Sequence, residues 1–129
     1  MLWLRVGIIE PAHEIVQNGS TPLASYLHGV VHRLEADYWN SKYWFRQVND
    51  KRLLQSLSKA IVDNVEEEGL SEIAMSLNVI RDSTFSPAEF VSAHEHLSKP
   101  TNRESAHAEA AERIAWIEWE SLWPLVKPL

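Results

Sequence analysis

The sequence predicts an all-α fold, one bundle-like domain of five or six helices over residues 1–129. Three observations carry this expectation. Apolar residues recur at spacings of three and four, strand-like alternation is scarce, and Ser, Thr, Asn or Asp stands before most of the periodic runs, where a helix needs a cap. No internal repeat, low-complexity tract or linker divides the chain.

The elements follow in order. Leu2 to Gln17 reads as helical, with Pro11 kinking it or opening a new turn, and Asn18-Gly19 ends it. Thr21-Pro22 then supplies an N-cap and a first helical residue. Leu23, Leu27, Val30, Val31 and Leu34 share one broad face of the helix that follows, to about Ala36. Asn40 is placed to cap a short aromatic helix, SKYWFRQV. From about Asp50 to Glu68, Leu53, Leu54, Leu57, Ile61 and Val65 keep helical spacing until Gly69 stops the run. Ser71 to Val79 is expected as a short apolar helix. Ser86-Pro87-Ala88-Glu89 is a capping box that opens a helix to about His96, and Thr101 to Glu104 forms a second one. The helix it opens, ending near Trp123, is the longest.

The composition, 45% hydrophobic and 23% charged, suits a globular domain with a real core. A formal net charge of −6 argues against a nucleic-acid partner, which calls for a basic face. With no cysteine, disulfides, thiolate nucleophiles and Cys-ligated zinc are excluded. The opening MLWLRVGIIEPAHE is interrupted by Arg5 and Glu10, which does not fit a signal peptide. No stretch approaches the ~20 apolar residues of a membrane span, so the expectation is a soluble cytoplasmic protein with no membrane partner. Neither a phosphate-cradling glycine-rich loop nor G-x-S-x-G occurs, which disfavours P-loop and serine-hydrolase chemistry.

Polar chemistry concentrates in LHGVVHRLEADYWNSKYWFR, residues 27–46. His28 and His32 stand four apart, the spacing that lets two imidazoles on one helix reach a common metal ion. Glu35 follows at the next helical position, and His13 with Glu14 lies upstream. His13, His28, His32 and Glu35 are thus a candidate set of ligands for a divalent metal. Without a metal, His28 and His32 are candidates for acid–base work with Glu35 orienting them. Gly29 after His28 excludes the H-E-x-x-H arrangement. Arg33, Lys42 and Arg46 form a cationic group suited to the carboxylate or phosphate of a small anionic molecule, with Tyr26, Tyr43 and Trp44 lining or supporting the site. The alternative is that these cations pair with Glu35, Asp37 and Asp50, that Asp37 and Asn40 cap and turn the chain, and that the histidines serve helix packing.

AHEIVQ at 12–17 and SYLHGVVHRLEADYWNSKYWFR at 25–46 together resemble a group of uncharacterised bacterial and fungal proteins. Their pattern runs AHEI-Q, then S-Y-W-H-x-x-x-H-R-R-E-x-D-x-x-N-x-K-Y-W-F-R. The chain matches it at His13, Glu14, Gln17, Ser25, Tyr26, His28, His32, Arg33, Glu35, Asp37, Asn40, Lys42, Tyr43, Trp44, Phe45 and Arg46. It departs at Leu27 and Leu34, where the pattern has an aromatic and a second arginine. The resemblance covers about the first third of the chain, with the terminal Trp-rich helix matching loosely. It implies no activity, but it does imply that the histidine and aromatic segments belong to a single site.

Elsewhere, His94 and His96 fall near a helix C-terminus, where the dipole favours an imidazolium, and His107 is expected in solvent. Trp116, Trp119 and Trp123 make a ring stripe suited to a core or a dimer seam, with a cofactor wall as the lesser alternative. Glu118, among Ile114, Ile117 and Leu122, is either a buried carboxylate facing the site or a boundary residue. Two functions remain open. One is a small-molecule site, metal- or anion-binding and enzymatic; the other is a non-catalytic interaction protein or homodimer in which the polar cluster is structural.

Overall fold

The computed structural model describes residues 21–99 and 105–126, and over them the protein is all-α, with six helices and one two-stranded hairpin. The helix expected over Leu2 to Gln17, its Asn18-Gly19 stop and the capping box at Thr101 lie outside the described residues.

Local chemistry accounts for most boundaries. Thr21 caps α1 (Pro22–Leu34), its hydroxyl accepting the Ala24 N–H at 3.1 Å. Ala36 then turns the chain at φ 61°, and Asp37, rather than Asn40, caps α2 (Tyr38–Arg46). Asp50 caps α3 (Lys51–Glu67), accepting the Leu53 N–H at 3.1 Å, and Gly69 at φ 72° terminates it. α4 (Ser71–Ser76) ends earlier than its apolar composition suggests, because Asn78 takes the left-handed conformation at φ 61°.

Between Val79 and Ser86, where the sequence predicts no element, the chain makes a hairpin of β1 (Ile80–Arg81) and β2 (Thr84–Phe85), with Ile80 opposite Phe85. Its turn residues Asp82 and Ser83 both have positive φ, the geometry that suits the right-handed twist of adjacent strands. The capping box at Ser86 forms: its hydroxyl accepts the Glu89 N–H at 3.2 Å and opens α5 (Pro87–Ser98). The last helix, α6 (Ser105–Val126), continues through Trp123 and carries Pro124 in its final turn.

α1 is largely buried, with Ala24, Ser25, Tyr26, Leu27, Gly29, Val30, Val31 and Arg33 all turned from solvent. α2 packs across it and against α5, while α6 runs along α3. Leu57, Ile61 and Val65 form the inward stripe of α3, and Ile114, Ile117 and Leu122 that of α6. The α1–α2 crossing depends on Gly29, where a Cβ would stand 2.6 Å from the Phe45 ring. The same close approach lets the Ser41 hydroxyl donate to the Gly29 carbonyl at 2.6 Å.

Phe45 cannot yield easily, since it is buried and packs edge-to-face with Tyr26 at 5.0 Å. Gly29→Ala is therefore expected to lower stability by about 1–2 kcal/mol in denaturant unfolding, overpacking outweighing the ~1 kcal/mol gain in helix propensity. An unchanged or raised midpoint would show that the crossing relaxes without cost.

Candidate functional site

Two polar assemblies arise from the segment singled out above, one sealed in the core and one at its edge. The sealed one joins α1 to α6. Arg33 is only 4% exposed and Glu118 1%. The Arg33 guanidinium forks onto the carboxylate, with Nη2 paired to Oε1 and Nη1 donating to Oε2 at 3.4 Å. The Tyr26 hydroxyl donates to Oε2 at 2.7 Å. The Phe90 ring lies under the guanidinium, 4.6 Å from centroid to Cζ. Cation, anion, donor and ring face together compensate charges that burial alone would make prohibitive.

Burial, reinforced by the Glu118 charge and hydrogen bond, pushes the Tyr26 phenol well above its ordinary value, although Arg33 opposes the shift. Arg33 Nε has no hydrogen-bond partner among the described residues. The surface partners considered for Arg33 from sequence are thus replaced by Glu118, which is the buried carboxylate of the two roles open to it.

The edge assembly is built on the side of α1 that carries His28 and His32. Their rings lie 6.2 Å apart and nearly parallel, at 23°. Trp44 of α2 stacks on His28 at 4.0 Å and 18°. His28 Nδ1 lies 3.2 Å from the Ala24 carbonyl. A carbonyl only accepts, so Nδ1 carries the proton and Nε2 is the basic nitrogen of the neutral ring.

His32 Nδ1 is buried, without a hydrogen bond among the described residues, and 3.7 Å from Asp37 Oδ2. The Asn40 side-chain amide holds the Asp37 carboxyl below its usual range, helped by the Asn40 backbone N–H and by His32. Asp37 therefore does two jobs, capping α2 and facing His32. Glu35, the expected orienting carboxylate, is exposed at the C-cap of α1.

Of the metal set, His13 lies outside the described residues. Among those described, no three His, Cys, Asp or Glu side chains converge on a point that would hold a metal ion. The cations do not gather beside the histidines either. At 100° per residue, Lys42 and Arg46 fall on the opposite side of the inward stripe (Tyr38, Ser41, Phe45) from Asn40 and Trp44. Tyr43 is 43% exposed and stacks at 6.2 Å on Trp39, which is 74% exposed.

The other histidines sit apart from this face. His94 Nδ1 is 2.9 Å from the Phe90 carbonyl, and His107 Nε2 is 3.5 Å from the Ser76 hydroxyl. In the tryptophan stripe, Trp119 is buried, Trp116 partly buried and Trp123 exposed. No family model, curated protein or solved structure matches the chain.

Truncating one member of the sealed pair strands the other. Arg33→Met or Glu118→Leu alone is expected to cost about 3–5 kcal/mol. The double variant should lose less than the sum, with a coupling of about 1–3 kcal/mol in a double-mutant cycle. Strict additivity would refute the pairing.

A second outcome concerns pH. Tyr26 holds its proton more tightly folded than unfolded, so its contribution is complete below the ordinary phenol value of 10.0 and declines as pH rises above it. Stability should fall more steeply above about pH 10 in the wild type than in Tyr26→Phe. Parallel pH profiles would show that the phenol does not titrate differently on folding.

Proposed function

We propose that the protein binds a small molecule at the face formed by His28, His32 and Trp44, and that the histidines carry the chemistry there. The observation that supports this most is the pairing of His32 with Asp37 beside the parallel His28 ring. A carboxylate facing Nδ1 favours the tautomer with its proton on that nitrogen, leaving Nε2 to bind a ligand. His28, its Nδ1 directed to the Ala24 carbonyl, stands one helical turn away with its ring nearly parallel to that of His32. The indole of Trp44 adds a flat apolar wall, suited to a ligand with a planar part. Arg33 is committed to Glu118, so the groups that meet an anionic ligand at this face are the imidazole N–H donors. A divalent metal at this face would draw on His28 and His32 as a partial ligand set.

The second reading, an interaction protein, draws on the exposure of Trp39 and Tyr43, two of the residue types that dominate binding energy at protein interfaces. It does not require the histidines to react.

The test is a titration followed at the histidine ring resonances, with zinc chloride, inorganic phosphate and a set of small carboxylates as probes. Binding with Kd below about 1 mM, shifting His28 and His32 and abolished in a folded His28→Ala, His32→Ala variant, is the expected outcome. No response to any probe would remove the small-molecule reading. A double variant that unfolds outright would assign the histidines to structure.

A further inference from the structure

Charge is distributed along α3 against the sense that would stabilise an isolated helix. Its first turn holds no acid and its last no base; Lys51 and Arg52 sit at the N-terminus, and Glu66, Glu67 and Glu68 at the C-terminal end. The helix dipole penalises both placements, and at the N-terminus the capping Asp50 carboxylate offsets part of the first. Glu68 is offset by Arg113, whose Nε donates to it at 2.6 Å. Lys51, Arg52, Glu66 and Glu67 are exposed and make no ion pair among the described residues. Midway between the two ends, Lys59 pairs with Asp63 at 2.9 Å.

The helical period places Arg52, Lys59, Asp63 and Glu66 on one outward stripe, opposite the buried Leu57, Ile61 and Val65. A groove of about 670 Å³ runs beside that stripe, between α3 and the hairpin, floored by Leu54, Val62, Phe85 and Pro87.

We infer that this face is the contact surface of a twofold homodimer in which α3 lies antiparallel to its copy. Reversal makes the stripe complementary to itself, basic end on acidic end at both extremities. In the register that sets Arg52 against Glu66 of the copy, the two Lys59 side chains meet near the axis, each neutralised by its own Asp63. The same arrangement sets the two helix dipoles head to tail, which removes the penalty each helix carries alone. Seventeen residues extend about 25 Å, so both charged ends engage at once. The groove supplies the apolar surface that a charge stripe alone would lack. Contacts across a twofold axis are reciprocal, so the assembly stops at two copies.

The experiment is sedimentation velocity on the full chain over a range of concentrations and at low and high salt. The wild type is expected to dimerise, with Kd rising about tenfold or more between roughly 0.05 and 0.5 M salt. Lys51→Glu with Arg52→Glu, and separately Glu66→Lys with Glu67→Lys, should each abolish the dimer. Both reversals also correct the helix-dipole mismatch, so each monomer should melt no lower than the wild-type monomer. That readout separates lost association from lost folding. An equimolar mixture of the two reversed proteins should restore a dimer, because every contact then again joins opposite charges. A wild type that stays monomeric near 1 mM at low salt, a dimer that survives either reversal, or a mixture that stays monomeric would each overturn the inference.

Discussion

The buried pair between Arg33 and Glu118 is the constraint around which the fold is arranged. Two opposite charges in a hydrocarbon interior are tolerable only with matched geometry, and here each neighbouring element supplies part of it. α1 contributes the guanidinium and the Tyr26 hydroxyl, α6 the carboxylate, and α5 the Phe90 ring under the cation. Apolar packing alone would allow α1 and α6 to slide or rotate against each other with little penalty. A bidentate charged pair that must be satisfied inside the core does not. Gly29 plays the corresponding part on the other side of α1, admitting Phe45 so closely that α2 has one way to cross.

The proposed site takes its position from this sealed centre. Along α1, residues 26, 30 and 33 point to the core, and residues 28 and 32 emerge at the seam with α2. Because the core face holds the helix rotation, the imidazoles are held too, with Trp44 and Asp37 set against them from the following helix. The motif in residues 25–46 thus divides between two tasks. Tyr26, Arg33, Ser41 and Phe45 build the centre, while His28, His32, Asp37, Asn40 and Trp44 furnish the seam.

What the sequence disclosed, and what it withheld, follows the distance over which each interaction acts. The caps at Thr21 and Ser86 were legible because a side chain reaches the N–H three residues ahead, and nothing remote competes. The inward stripes of α3 and α6 were legible from periodicity. The role of Arg33 was not, since its partner lies 85 residues away and nearer acids offered equally good local pairing. Glu118 was half legible: a carboxylate amid Ile114, Ile117 and Leu122 had to be buried or marginal, and only the position of α1 decided between them. The hairpin escaped because two-residue strands are too short to show alternation, and Asp82-Ser83 replaces the Asn-Gly that usually marks such a turn. The cap of α2 is expected at Asn40, with Asp37 sharing that task only in the alternative reading, and the structure gives it to Asp37. The approach of Asp37 to His32 depends on Ala36 turning back the chain, a conformation that an alanine does not advertise.

The 85-residue separation between Arg33 and Glu118 also bears on how the chain is made. During synthesis α1, α2 and α3 emerge while Glu118, the carboxylate that pairs with Arg33, has yet to be translated. A guanidinium without a counter-charge resists burial, so closing the core around Arg33 before Glu118 arrives is unfavourable. Arrival of α6 supplies the anion and the aliphatic stripe of Ile114, Ile117 and Leu122 in one element. Closure is thereby postponed to the last helix, and a ribosome stalled before it leaves a chain with its apolar faces accessible to chaperones and proteases.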